Sequence, residues 1–152
     1  MNHYQELSYL LRISRLFDIY RRQQMKDADR YPALFTCLSY VCRHPGRSQK
    51  EMAENICVDK TTAAHHVARL EEKGYIVRRP SPEDRRVSLL DPTEKAMTLA
   101  PMLHQTYENY YNCLLSDLSQ EERAALGSLA ERLFHSAQRL TREDKGKGGE
   151  KP

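Results

Sequence analysis

Between Lys60 and Arg86 the chain carries the cations Lys60, Arg69, Lys73, Arg78, Arg79, Arg85 and Arg86 against the anions Glu71, Glu72, Glu83 and Asp84. The surplus is local, because the net charge of the whole chain is only +3. Several of these cations lie in the run LEEKGYIVRRPSPEDRR, from Leu70 to Arg86. There a helix ends on Gly74 and a short apolar strand follows. Next come a Pro-Ser-Pro turn, Asp-Arg-Arg on its far side, and a second strand beginning at Val87. This order describes a β-hairpin with cationic side chains, joined directly to the end of a helix. Such a protrusion suits a grooved polyanion, and duplex DNA is the obvious candidate. The plainer alternative is an ordinary solvated hairpin tip.

Other residue groups carry chemistry of different kinds. Tyr107, Tyr110 and Tyr111, with Arg12 and Arg15 on the first helix, are types that line a pocket for a small aromatic or anionic effector. Tyrosine rings supply apolar walls with a polar tip, and guanidinium supplies the counter-charge. The same helical spacing also produces a dimer core with amphipathic rims. His104 and Glu108 share a helix face, and Cys42 lies close to His44. Yet the chain has no His-x-x-x-His and no Cys-x-x-Cys, so neither a metal nor a cofactor is expected. Without Gly-x-Ser-x-Gly, His-Glu-x-x-His or a phosphate loop, nothing brings acid, base and nucleophile together, and the chain does not read as an enzyme.

Four scattered cysteines read as reduced thiols of the cytoplasm. Cys37 and Cys57 fall among apolar neighbours and read as core; Cys42 and Cys113 read as more exposed. Redox sensing through cysteine is therefore an alternative mode of control. No apolar run is long enough for a membrane span, and the first residues lack the pattern of a secretion signal.

The elements that must position these groups are mostly helical. Residues 4–24 carry Leu7, Leu10, Leu11, Phe17 and Tyr20 at helical spacing. Tyr31-Pro32 opens a second helix through about Cys42, and His44-Pro45-Gly46 stops it. Ser48 stands three residues before Glu51, a capping-box pattern for a short helix from Gln49 to about Asn55. Asp59 is an N-cap for the next helix, where Ala63, Val67 and Leu70 form one buried face. Thr61, His65, Ala68 and Arg69 lie on the other side. Short helix, tight turn, longer helix is a helix-turn-helix, and the hairpin makes it winged. Helices follow over roughly 93–116, with Pro101 a predicted kink, and from about Ser119 to Leu140. From Thr141 the charged, Gly-rich tail is predicted to be disordered.

The ungapped run VDKTTAAHHVARLEEKGYIVRRPSPEDRRVSLLDPTEKA, Val58 to Ala96, resembles the signature region of the MarR (multiple-antibiotic-resistance regulator) family. The helical layout on both sides of it fits as well. The resemblance implies a mainly α fold with a small β-hairpin. A winged helix-turn-helix lobe, about 30–91, would be joined to dimerisation helices, about 1–24 and 93–140. It implies one domain over 1–140 followed by the tail 141–152. The function it implies is that of a homodimeric, sequence-specific regulator of transcription acting as a repressor. Its partner would be a pseudo-palindromic operator in double-stranded DNA, released by a small ligand.

In that arrangement Thr61, Thr62, His65 and Arg69 face the major groove, and free N–H groups around Lys60–Thr62 favour a phosphate oxygen. Arg47, Ser48 and Gln49 begin the first helix of the motif, near the DNA backbone. The resemblance puts Arg86 in the minor groove, with Asp84 holding it or a neighbouring cation. Arg79, Ser81 and Arg85 support phosphate contacts. Three positions depart from the family pattern: Ala64-His65 replaces Ser-Arg, Pro92 replaces Leu, and Ala96 replaces Gly. The first gives the alternative reading of a winged-helix interaction module that has lost DNA binding.

Overall fold

A computed structural model describes residues 3–24 and 32–147. The element order is α1 (His3–Gln24), α2 (Pro32–Arg43), β1 (Arg47–Ser48), α3 (Gln49–Asn55), α4 (Lys60–Glu72), β2 (Ile76–Pro80), β3 (Ser88–Pro92), α5 (Glu94–Leu114) and α6 (Gln120–Lys147). The chain divides into two compact units, Met1–Tyr110 and Tyr111–Pro152.

In the first unit α2 is the hub. Leu34, Phe35, Cys37, Leu38, Tyr40 and Val41 are all buried, so the helix is covered on nearly every side. Met52 and Ala53 of α3, Ala63, Val67 and Leu70 of α4, Ile76 of β2, Leu90 of β3, and Ala96 and Leu103 of α5 complete one core. The i, i+4, i+7 spacing expected in α4 is thus the face that packs. Arg21 of α1 is also buried, donating to Asp18 and Thr36 and lying over the rings of Phe17 and Phe35.

The sheet has three antiparallel strands in the order β1-β3-β2, where a two-stranded hairpin is expected from the sequence. Arg47 pairs with Leu90 and Ser48 with Leu89, while β2 runs from Ile76 opposite Pro92 to Pro80 opposite Ser88. The second strand of the hairpin begins at Ser88, one residue after the expected Val87. The start of α5 is tied to the end of α4. Thr93 Oγ1 donates to the carbonyl of Gly74 at 2.8 Å, the Thr93 N–H to that of Tyr75 at 2.9 Å, and Lys95 Nζ to that of Lys73 at 2.7 Å. Pro101 lies inside the span of α5, where it has no N–H to give to the preceding turn.

In the second unit Ser119 and Glu122 form the expected capping box, with Ser119 N–H donating to Glu122 Oε2 at 2.7 Å and Glu122 N–H to Ser119 Oγ at 3.2 Å. Helix α6 does not stop at Leu140. The segment from Thr141, expected to be disordered, is helical through Lys147. Extending an existing helix needs no new nucleus, and Thr-Arg-Glu-Asp-Lys contains no strong breaker before Gly146. The rest of that tail, 148–152, lies outside the described residues.

Candidate nucleic-acid interface

Helix α4 presents a polar face because its apolar face is spent on the core. Asp59 caps it: Oδ1 accepts from Thr62 N–H at 2.8 Å and Oδ2 from Thr62 Oγ1 at 2.6 Å. These bonds hold the Asp59 carboxyl below its ordinary value. The hydroxyl proton of Thr62 is therefore already committed. Lys60, Thr61, His65 and Ala68 are exposed, and Arg69 is half-buried. His66, next to His65, turns the opposite way. Its Nδ1 lies 3.6 Å from Sγ of the buried Cys37, and burial, then His65 and Arg69, lowers its pKa.

The N-terminus of α3 is closed by the predicted capping box. Ser48 N–H and Oγ both donate to Glu51 Oε2 at 2.8 Å, and Glu51 N–H donates to Ser48 Oγ at 3.2 Å. Arg47 Nη1 donates to Glu51 Oε1 at 3.0 Å. Bonds from Ser48, then Arg47, hold the Glu51 carboxyl below its ordinary value. Ser48 and Arg47 are thus engaged within the protein, while Lys50 is exposed.

The wing turns through Ser81–Val87, closed by Ser81 N–H donating to the Val87 carbonyl at 2.8 Å and Val87 N–H to that of Asp84 at 2.9 Å. Ser81 Oγ accepts from Glu83 N–H at 3.3 Å. At the tip Asp84 accepts from Arg86 Nε at 3.1 Å and from Nη2 at 3.3 Å. Arg85 and Arg86 are exposed. Behind the tip Arg79 is ion-paired with Asp91. Arg78, counted in the sequence only as part of the cationic surplus, reaches the helices: its Nε donates to Glu71 Oε2 at 3.0 Å and its Nη1 to Gln49 Oε1 at 3.3 Å. The alternation of β2 is the signal for this, since Arg78 falls two residues from the buried Ile76 and so on the same face.

Two of the three tyrosines expected to line an effector pocket pack against other aromatic rings. Tyr107 packs on Phe17 and Phe35, with ring centroids 5.1 and 5.4 Å apart. Tyr110 packs on Phe17 and Tyr20 at 4.6 and 5.3 Å, and its hydroxyl donates to the Ile13 carbonyl at 3.1 Å. Arg12 lies over the ring of Tyr9, Arg15 is exposed, and Tyr111, in the second unit, is exposed. A cavity of about 20 Å³ lies instead among Leu34, Phe35, Leu38, Leu70, Lys73, Tyr75, Leu99 and Leu103. That is room for about one water molecule. None of the five expected pocket residues lines it.

The thiols divide differently from the expectation. Cys37 is buried, which pushes its pKa up to about 12, and Cys113 is exposed. Cys57, expected in the core, is exposed. It occupies the turn between α3 and α4 at φ 56°, a left-handed backbone position. Cys42, expected to be more exposed, is half-buried. Among the described residues no group of three or more His, Cys, Asp or Glu side chains could hold a metal ion, and no helix is long and apolar enough to cross a membrane.

Comparison with known proteins agrees with this geometry. The profile of the MarR family matches residues 31–88. The chain is 31% identical over 127 residues to the HTH-type transcriptional regulator YybA of Bacillus subtilis (strain 168), covering 84% of this chain and 85% of YybA. The crystal structure of MarR superposes with a TM-score of 0.66 at 31% identity, over 94% of this chain and 95% of that one. A MarR family regulator from Listeria monocytogenes, crystallised with a 26mer DNA, superposes with a TM-score of 0.86 over 96% of this chain and 97% of that one. At 23% identity that likeness shows the fold alone.

Proposed function

The chain belongs to the MarR family of winged helix-turn-helix transcription regulators, and we propose that two copies of it hold a pseudo-palindromic operator, one α4 in each of two successive major grooves, about 34 Å apart. One observation carries the reading: a guanidinium, Arg86, stands at the tip of the wing, held by Asp84 yet open to solvent. A narrow minor groove concentrates negative potential and attracts such a group. Lys60, Thr61, His65 and Arg69 read base edges or phosphates beside it, with Thr62 contributing through the lone pairs of its hydroxyl. Arg85 and Lys50 meet the DNA backbone, joined by Arg47, Ser48, Gln49, Arg79 and Ser81 where their internal bonds leave capacity.

Pairing of copies is supported by apolar side chains that the single chain leaves uncovered. On α1 these include Leu7, Leu11, Leu16 and Ile19; on α6, Leu126, Leu129, Leu133, Phe134 and Leu140. Each is more than two-fifths exposed, more apolar surface than a lone soluble helix normally keeps. Residues 1–140 then act as one domain, with helices near both ends dimerising. Bound DNA blocks transcription in the cytoplasm, and a small aromatic or anionic effector releases it by preferring another spacing of the lobes.

Selection of bound duplexes from a random pool tests this reading. A two-fold-related consensus with half-sites one helical turn apart is expected, weakened by a phenolic effector. Recovery of no enriched sequence at low salt contradicts it.

A further inference from the structure

We propose that Glu71, acting through Arg78, is a positioning residue that sets the angle of the wing against the two helices of the helix-turn-helix. The inference rests on the reading that wing and α4 engage one duplex. A hairpin on a short connection is free to tilt unless something beyond its own strand pairing restrains it. Here one guanidinium joins three elements: β2 supplies Arg78, α4 supplies Glu71 at 3.0 Å, and α3 supplies Gln49 at 3.3 Å. Arg78 is able to do this because it shares a face of β2 with Ile76, which is buried in the core. The planar, forked guanidinium fixes direction as well as distance, which an ammonium does not.

The opposite face of the strand is restrained in parallel. Arg79 pairs with Asp91 of β3 and lies against Gly46, where an added Cβ would come within 2.9 Å of its Nη2. The base of the wing is therefore braced on both faces, and Glu71 supplies the brace that reaches α4. Partly exposed ion pairs add little to overall stability. The effect of this one is read in how well α4 and the wing register on DNA.

The sign of the effect separates this role from a merely electrostatic one. Removing a carboxylate from a helix that faces a polyanion strengthens binding to any duplex on Coulombic grounds. Removing a brace weakens binding to the selected duplex alone. Affinities of full-length wild type and Glu71→Ala are to be compared on the selected operator and on a random-sequence duplex of equal length. The expected result is a loss of about three- to tenfold on the operator, the size of one coupled contact. Affinity for the random duplex is expected to stay the same or rise. Equal or tighter operator binding by Glu71→Ala overturns the proposal.

Backbone relaxation of the DNA-free protein is the second readout. Lower order parameters over Ser81–Val87 in Glu71→Ala, with α4 unchanged, support the brace; an unchanged wing overturns it. Wild-type protein that binds no duplex removes the DNA reading, while relaxation still decides whether Glu71 holds the wing.

Discussion

Asp84 holds Arg86 from two sides. Its Oδ1 accepts from the Arg86 backbone N–H at 3.0 Å and from Nε at 3.1 Å, while Oδ2 accepts from Nη2 at 3.3 Å. The arginine side chain is nevertheless 91% exposed. These bonds, side chain first, hold the Asp84 carboxyl below its ordinary value. The carboxylate orients the guanidinium without covering it, so the group is presented with fewer rotamers left to lose on binding.

Asp84→Ala is expected to weaken operator binding several-fold even though it removes a negative charge from the wing tip. Asp84→Asn, which keeps one carbonyl acceptor, should fall between the two. Anisotropy titrations at a single salt concentration check the order. Tighter binding by Asp84→Ala would show that the carboxylate only repels DNA.

Ser48 serves the fold before it serves any ligand. Its hydroxyl accepts from Glu51 N–H and donates to the Glu51 carboxylate, closing the first turn of a short helix. Ser48→Ala should lower unfolding free energy by about 1 kcal/mol, the usual cost of a lost N-cap. Chemical denaturation at fixed protein concentration measures it. No change would mean that packing of Met52 and Ala53 alone sets α3.

Gly46 and Gly74 both adopt left-handed backbone, at φ 76° and 71°. A Cβ at Gly74 meets nothing within 4 Å, whereas one at Gly46 meets Arg79 Nη2. Gly74→Ala should therefore cost only the backbone penalty, about 1 kcal/mol. Gly46→Ala should cost that and also displace Arg79 from Asp91, so its melting temperature should fall further. Equal melting temperatures for the two variants would show that Arg79 moves aside freely.

Elements fixed by local chemistry were readable in the sequence: both capping boxes, the Asp59 cap, the buried stripe of α4 and the Asp-Arg-Arg wing tip. Features that depend on register or on distant packing were not. Strand β1 is two residues long, too short for alternation to mark, and its Ser48 already reads as a helix cap. The pairing of Arg79 with Asp91 follows from the alignment of β2 on β3, which residue types alone do not fix. Cys57 looked like core by its neighbours, yet the α3–α4 turn turns it outward. Tyr107 and Tyr110 were legible as an aromatic cluster, but whether rings line a space or fill it depends on Phe17 and Phe35, far away in sequence.

His66 is expected to give the fold a pH dependence of one sign. Its lowered pKa, caused first by burial and then by His65 and Arg69, means that folding favours the neutral ring, with Asp59 opposing weakly. That stability is complete above the unfolded imidazole value of about 6.5 and is lost as pH falls toward the lower native value. Wild type should therefore melt lower at about pH 5.5 than at about pH 7.5, either side of that value. His66→Gln, which cannot titrate, should flatten the difference. An identical pH slope in the two proteins would assign the effect to other groups.

Operator binding is expected to rest on the wing arginine, Arg86. The most direct test is a titration of wild type and Arg86→Ala on the selected operator across a series of salt concentrations, with dimer integrity checked by sedimentation. The logarithm of the wild-type binding constant should fall linearly with the logarithm of salt concentration. Arg86→Ala should bind at least about tenfold more weakly, a loss of about 1.4 kcal/mol, while remaining a folded dimer. Equal affinity of the two proteins, or no binding of wild type even at low salt, would contradict the account.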